Sequence, residues 1–245
     1  MSAYGAIQAR DGPALPSTLW ALRKATTDGK THVTLHHLTL KTARELPGLC
    51  EYLCKVFSDE VDKGLTYPQE GPLTQAAFET YFFAADVFVA VLQGPGSPIV
   101  AQGDTQAPGT SVDLNVASAA AGRRWDDCLV GYYYVKPNYP GRSSHICNAG
   151  FVVPPQHRGG GYGVVLADTY LHYAPKLGYQ ASVFNLVYVN NVASIRLWER
   201  LGFTKAGRIP RAGRLRKKDG DGEEYVDAWV FYKSFIEDDA GAGAA

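Results

Sequence analysis

Apolar residues recur along this chain at two spacings, and the change from one to the other predicts where strands give way to helices. Residues 31–40 alternate, with Val33, Leu35, His37 and Thr39 on one face, the pattern of a strand. Over residues 42–63 the period lengthens, and Leu46, Leu49, Leu53, Val56 and Phe57 share one face of a helix. Pro47 fits only a first turn, so that helix can begin there, and Gly64 is placed to end it. Thr74 is a cap for a second helix over residues 75–83. Further strands are expected at 86–92, 128–135, 145–153 and 181–189, the last interrupted chemically by Asn185. A helix follows Gly163 and closes near Gly178, with Pro175 tolerated near its end. Asn191 opens another over residues 192–201 that Gly202 ends. Strands near 203–209 and 226–235 flank a basic, polar turn at 214–224.

The pattern is that of one α/β domain over residues 31–236, without internal repeats. Residues 1–30 read as a peripheral segment in which Leu19-Trp-Ala-Leu-Arg23 forms a short helix. Residues 94–122 are rich in Gly, Pro, Ser, Ala and Gln, so a flexible hairpin insertion is expected over about 94–124. The tail, 237–245, is expected to be disordered.

The densest chemistry lies in Asn148-Ala-Gly-Phe-Val-Val-Pro-Pro-Gln-His-Arg-Gly-Gly-Gly-Tyr-Gly163. Phe151, Val152 and Val153 close a strand that Pro154 and Pro155 end, because neither proline can donate to a ladder. Gly159, Gly160, Gly161 and Gly163, with Tyr162 among them, then lead into a helix. Such a turn brings backbone N–H groups and a helix dipole to an anion. A dinucleotide fingerprint would need glycine at Val164 or Leu166, and no Gly-Lys-Ser/Thr follows. The same run also fits a tight turn with no ligand.

Composition removes several classes of partner. Lys+Arg and Asp+Glu both number 24, so no basic excess points to nucleic acid. No apolar run approaches the roughly 20 residues of a membrane span, and no signal-like start is seen, so a cytoplasmic protein is expected, compatible with a mitochondrial pool. Cys50 and Cys54 stand four apart on a helix, a packing pattern; Cys128 and Cys147 complete the four. His32 and His36 share a strand face but lie roughly 13 Å apart, too far to chelate one ion, and His37 points the other way, so no metal site is expected.

Arg158-x-x-Gly161-x-Gly163, preceded by Val153-x-Pro155, resembles the acyl-CoA pyrophosphate loop of the GNAT superfamily of N-acetyltransferases. Asn191-x-x-Ser194-x-x-Leu197-Trp198 with Gly202-Phe203 resembles its second motif, in the right order and separation. The resemblance implies a single GNAT-type domain: a mixed, mostly antiparallel sheet splayed between its fourth and fifth strands, with helices on both faces. It also implies acetyl-CoA as co-substrate and a homodimer. Segments 66–69, 136–139, 144–151, 173–175 and 184–187 are similar to the fungal N-acetyltransferases of proline analogues such as azetidine-2-carboxylate. That closer likeness spans about 64–213, apart from the insertion.

On this likeness Asn148 anchors a small-molecule amine with Phe151 beneath it and Tyr67 on the substrate side, and Asn185 supports the reacting centre. Asn148 and Phe151, three apart, would face opposite ways on a regular strand, and Gly150 is a natural bulge between them. The backbone of Phe151, Val152 and Val153 would hold the thioester, and Arg158, Gly159, Gly160, Gly161, Tyr162 and Gly163 the pyrophosphate. Asn185, Asn191, Ser194 and Trp198 would line the cofactor's path. One departure matters: many relatives carry tyrosine where Trp198 stands, as an acid for the departing thiolate, and an indole N–H cannot serve as one. Positioning catalysis on a neutral amine is therefore expected, with water or a backbone carbonyl taking the proton. Lys136, Arg142 and His145 are nearby candidates for a substrate carboxylate. Another small amine, a polyamine, a protein N-terminus, or a non-catalytic acyl-CoA-binding module remain as alternative readings.

Overall fold

A computed structural model gives the fold, with residues 12–94 and 108–236 described. The chain forms two compact units, Met1–Lys136 with Ala149–Tyr173, and Pro137–Asn148 with Ala174–Ala245.

In the first unit the strands are β1 (Thr18–Ala21), β2 (His32–Leu38), β3 (Asp86–Leu92), β4 (Thr110–Ser111), β5 (Leu129–Pro137) and the second half of β6 (Ile146–Val152). They run in the order β4-β1-β2-β3-β5-β6, and the pairings among β1 to β5 are antiparallel. The helices are α1 (Leu40–Arg44), α2 (Leu49–Asp62), α3 (Gln75–Phe82), α4 (Val116–Ala120), α5 (Trp125–Cys128) and most of α6 (Tyr162–Lys176). Apolar stripes of α2 and α3, among them Leu49, Leu53, Phe57, Phe78 and Phe82, cover Val87, Val89, Val91, Tyr132 and Tyr134 of the strands. The opposite face is aromatic: Phe88 stacks on Tyr133, and Tyr133 meets Tyr170 of α6 edge-on. Covered on both faces, β3 and β5 are continuous apolar runs.

Capping follows the sequence. Thr74 accepts from the Ala77 N–H at the start of α3, and Thr39 closes a capping box with Thr42 that ends the strand at Leu38 and starts α1. The predicted helix over 42–63 is two helices, split by Pro47 and Gly48. All four cysteines are free and buried.

Two expectations are corrected in this unit. Residues 19–23 do not form a helix: Thr18–Ala21 is strand β1, paired with β2, with Leu19 and Trp20 buried. As a strand the segment gains a full ladder with β2, from Thr18 opposite Leu35 to Ala21 opposite His32, while burying Leu19 and Trp20. Where an insertion with no helix of its own was expected, the described residues 108–124 carry β4 and α4, with Val116, Ala119 and Ala120 in the core. Residues 95–107 of that insertion, and the tail at 237–245, lie outside the described residues.

In the second unit the start of β6 is followed by β7 (Ala181–Tyr188), α7 (Val192–Arg200), β8 (Thr204–Arg216) and β9 (Glu223–Ser234), in the sheet order β6-β7-β9-β8. β6 and β7 are parallel where they pair, Ile146 with Ala181 and Cys147 with Ser182. The predicted turn at 214–224 is shorter, because β8 runs on to Arg216 and β9 begins at Glu223. Alternating charges across that hairpin, such as Arg214 with Glu223, keep an exposed strand pair soluble while it extends.

Candidate active site

Five consecutive backbone amides, those of residues 159–163, have no acceptor among the described residues. They precede and begin α6, so the free N–H groups and the dipole of a 15-residue helix coincide. Gly159 and Gly161 both sit at φ +80, where a side chain would strain the backbone, and an added Cβ at either would meet open space. A loop of this kind fits an anionic pyrophosphate.

Arg158 heads the row. Its Nη2 donates to Glu60 Oε2 at 2.6 Å and its Nε to the Val153 carbonyl at 3.2 Å, which holds the guanidinium beside the loop. Arg158 is therefore fixed by the protein as well as placed for an anion. Glu60 is a residue the sequence reading did not single out, because a glutamate near the end of an amphipathic helix reads as solvated face.

Tyr67 also reaches this strand, but through its backbone. The phenol donates to the Phe151 carbonyl at 3.0 Å, and burial holds its pKa well above the usual value, so it stays a neutral donor. The Phe151 ring packs on Tyr133 at 5.1 Å and Tyr170 at 5.5 Å. Along β6 the half-exposed positions are Ile146, Asn148 and Phe151, while Ala149 and Gly150 are both buried. The alternation therefore shifts phase at Gly150, as the bulge argument requires. Gly150 has a steric reason too: a Cβ there would stand 2.5 Å from the Tyr134 ring.

Lys136 lies over the rings of Tyr81 and Tyr134, at 3.9 and 4.3 Å from their centroids. Burial lowers its pKa to about 8, and no carboxylate pairs with it among the described residues. Arg142 and His145 are exposed.

In the second unit three asparagine amides meet. Asn185 Nδ2 donates to Asn138 Oδ1 at 2.6 Å, and Asn138 Nδ2 donates back to Asn185 Oδ1 at 3.1 Å. Asn148 Nδ2 donates to the same Asn138 Oδ1 at 2.9 Å. Asn185 is turned toward this cluster where the pairing of β7 with β9 shifts register between Phe184 and Val187. Asn138 follows the end of β5, its own N–H bound to the Ile146 carbonyl at 2.8 Å. Asn148 Oδ1 accepts nothing among the described residues and is available to an incoming N–H. Sequence reasoning found Asn148 and Asn185 and missed Asn138, which unites them; the only signal was its place in Lys136-Pro-Asn-Tyr139, where an asparagine after a strand reads as a turn residue.

The remaining predicted cofactor residues are engaged locally. Asn191 caps α7 by accepting from the Ser194 N–H, and Ser194 Oγ accepts from the Trp198 indole at 3.0 Å. Trp198 is buried and packs on Phe184 and Phe203. Nothing in this setting gives the indole an acid's role.

Comparison with known proteins agrees with this geometry. Residues 106–203 match the acetyltransferase (GNAT) family. The chain is 46% identical over 176 residues to the N-acetyltransferase aca1 of Schizosaccharomyces pombe, covering 72% of this chain and 75% of that protein. Its fold is similar to that of a GCN5-related N-acetyltransferase from Kribbella flavida, with TM-score 0.58, 22% identity, and 82% and 97% of the two chains covered. A phosphinothricin acetyltransferase from Sinorhizobium meliloti, solved in complex with AcCoA, is similar at TM-score 0.55 and 16% identity over 82% and 88% of the chains. The α/β architecture, the anion loop and the close relative together make this chain a member of the GNAT family, an N-acetyltransferase that moves acetyl from acetyl-CoA to an amine.

Proposed function

We propose that the acceptor is the ring nitrogen of a small cyclic imino acid, of the azetidine-2-carboxylate or 4-hydroxyproline type, and that the reaction serves detoxification or metabolism of such proline analogues. The observation that carries this reading is the amide cluster of Asn138, Asn148 and Asn185. Asn148 Oδ1 accepts the amine N–H and so aims the nitrogen lone pair, while Asn138 and Asn185 fix the rotamer of Asn148. The amine nitrogen attacks the acetyl carbonyl, the C–S bond breaks, and the CoA thiolate leaves. The proton lost by nitrogen passes to water or a backbone carbonyl and ends on the thiolate. An amide is too weak a base to remove that proton first, so the neutral amine is the reactive form and the rate rises with pH toward the amine's own pKa. The free amides of residues 159–163, with Arg158, hold the CoA pyrophosphate, and the backbone of residues 151–153 faces the thioester carbonyl.

Lys136 favours the same acceptor class. An ammonium without a carboxylate partner among the described residues attracts a carboxylate and repels a polyamine. We also propose that the enzyme is a homodimer, as the family resemblance implies, and that it acts in the cytoplasm.

A thiol-release assay with acetyl-CoA and a panel of azetidine-2-carboxylate, 4-hydroxyproline, spermidine and an N-terminal peptide tests the reading, with the N-acetyl product identified by mass. The imino acids should have kcat/KM at least about 100-fold above the others. Faster acetylation of spermidine or peptide overturns the acceptor assignment while leaving the chemistry intact.

A further inference from the structure

Glu60 lies in the last turn of α2, 8% exposed, and ties together two segments far apart in sequence. Its Oε1 accepts from the Thr66 hydroxyl at 2.7 Å. Its Oε2 accepts from Arg158 Nη2 at 2.6 Å and from Lys63 Nζ at 3.2 Å. Thr66 adjoins Tyr67, whose phenol holds the Phe151 carbonyl, so the 65–72 loop is tied to β6 at one point and to α2 at the next. Arg158 stands at the head of the free amides of residues 159–163, with its Nε on Val153. With Nε and Nη2 both directed to protein acceptors, the guanidinium plane is set and Nη1 is left for an anion. Burial alone would raise the Glu60 pKa, but hydrogen bonds from Arg158 and Thr66 outweigh it and hold the carboxyl below its usual range. A buried carboxylate kept charged by donors from two loops is costly to leave half-satisfied, so release of one donor weakens the hold on the other.

We propose that Glu60 is a positioning residue that couples the two loops, so that CoA bound at residues 158–163 orders the 65–72 segment carrying Tyr67. The coupling is reciprocal: an acceptor that orders the 65–72 segment tightens CoA binding by the same factor. This inference rests on residues 158–163 being the CoA pyrophosphate loop and is independent of which amine is acetylated.

Hydrogen exchange on the full chain, with and without saturating CoA, reads the coupling directly. CoA should slow exchange both in the peptide spanning 159–163 and in that spanning 65–72. In Glu60→Gln the first protection should persist and the second should vanish. Thr66→Val cuts only one arm and leaves Arg158 paired; it should uncouple the 65–72 segment and weaken CoA binding by no more than the coupling factor, which covers the case in which Glu60→Gln folds poorly. In steady state, Glu60→Gln should raise the KM for acetyl-CoA about 10-fold through the misaligned Arg158, whereas Thr66→Val, with Arg158 still paired, should raise the KM for the amine more than that for acetyl-CoA. Protection of 65–72 that survives both substitutions overturns the proposal, as does wild-type protection confined to 159–163. Protection of neither segment overturns the reading of the loop itself, and the coupling with it.

Discussion

Asn138 Oδ1 accepts two hydrogen bonds, from Asn148 and from Asn185, and returns one through its own Nδ2. Every bond in the cluster is neutral, so it can aim a substrate but not ionise it. Removing the hub should release both neighbours: Asn138→Ala should lower kcat about as far as Asn185→Ala, although Asn138 makes no predicted substrate contact. Gly150 is a second residue whose identity is dictated locally. A Cβ at 2.5 Å from Tyr134 forces that buried ring or the strand to move, so Gly150→Ala should cost about 1–3 kcal/mol in urea unfolding. Asn185 was legible in the sequence because a polar residue interrupting an apolar strand needs an explanation, and Asn148 because the family resemblance points to it. Asn138 and Glu60 were not, since each stands where a polar residue is ordinary and only the folded chain reveals the partner.

Strands and helices with strong periodicity were legible, and so were their caps at Thr74, Asn191 and Gly202. Thr18–Ala21 was not, since a four-residue edge element is stabilised by the ladder it joins and carries no period of its own. The adjacent β2 makes a testable statement about acid. His36 is buried between Ser17 and Thr34 hydroxyls, and burial lowers its pKa from 6.5 to about 4. In the unfolded chain it takes a proton near its ordinary value, so the unfolded state binds more protons between those limits. Stability is therefore full above pH 6.5 and falls as pH drops toward 4, by about 3 kcal/mol at the acid limit. Urea midpoints at pH 7 and pH 5 should differ less in His36→Gln than in the parent chain. An equal difference in the two would remove His36 as the cause.

At the scale of the molecule, the division of labour follows the chain: the anion loop and its Glu60 anchor belong to the first unit, and the amide cluster to the second. Ligand linkage gives a measure of the first that does not depend on turnover. CoA at about 100 times its Kd should stabilise the protein by about 2.7 kcal/mol, seen as a rise in Tm; Arg158→Gln should shrink that CoA-dependent rise and also lower the Tm of the free protein, because it removes the charged partner of buried Glu60. The family was legible because two spaced motifs survive in sequence; the acceptor was indicated only by the fungal likeness, and the Asn138 hub joining Asn148 to Asn185 forms only on folding.

The positioning role of these amides is tested most directly by a split between catalysis and cofactor binding in Asn185→Ala, with Asn138→Asp as a near-isosteric companion. Turnover of azetidine-2-carboxylate at saturating acetyl-CoA should fall about 100-fold in Asn185→Ala, while the Kd for acetyl-CoA, measured by calorimetry, stays within about two-fold. A kcat equal to that of the parent enzyme, or a loss that appears wholly in acetyl-CoA affinity, would contradict the claim that these amides position the amine.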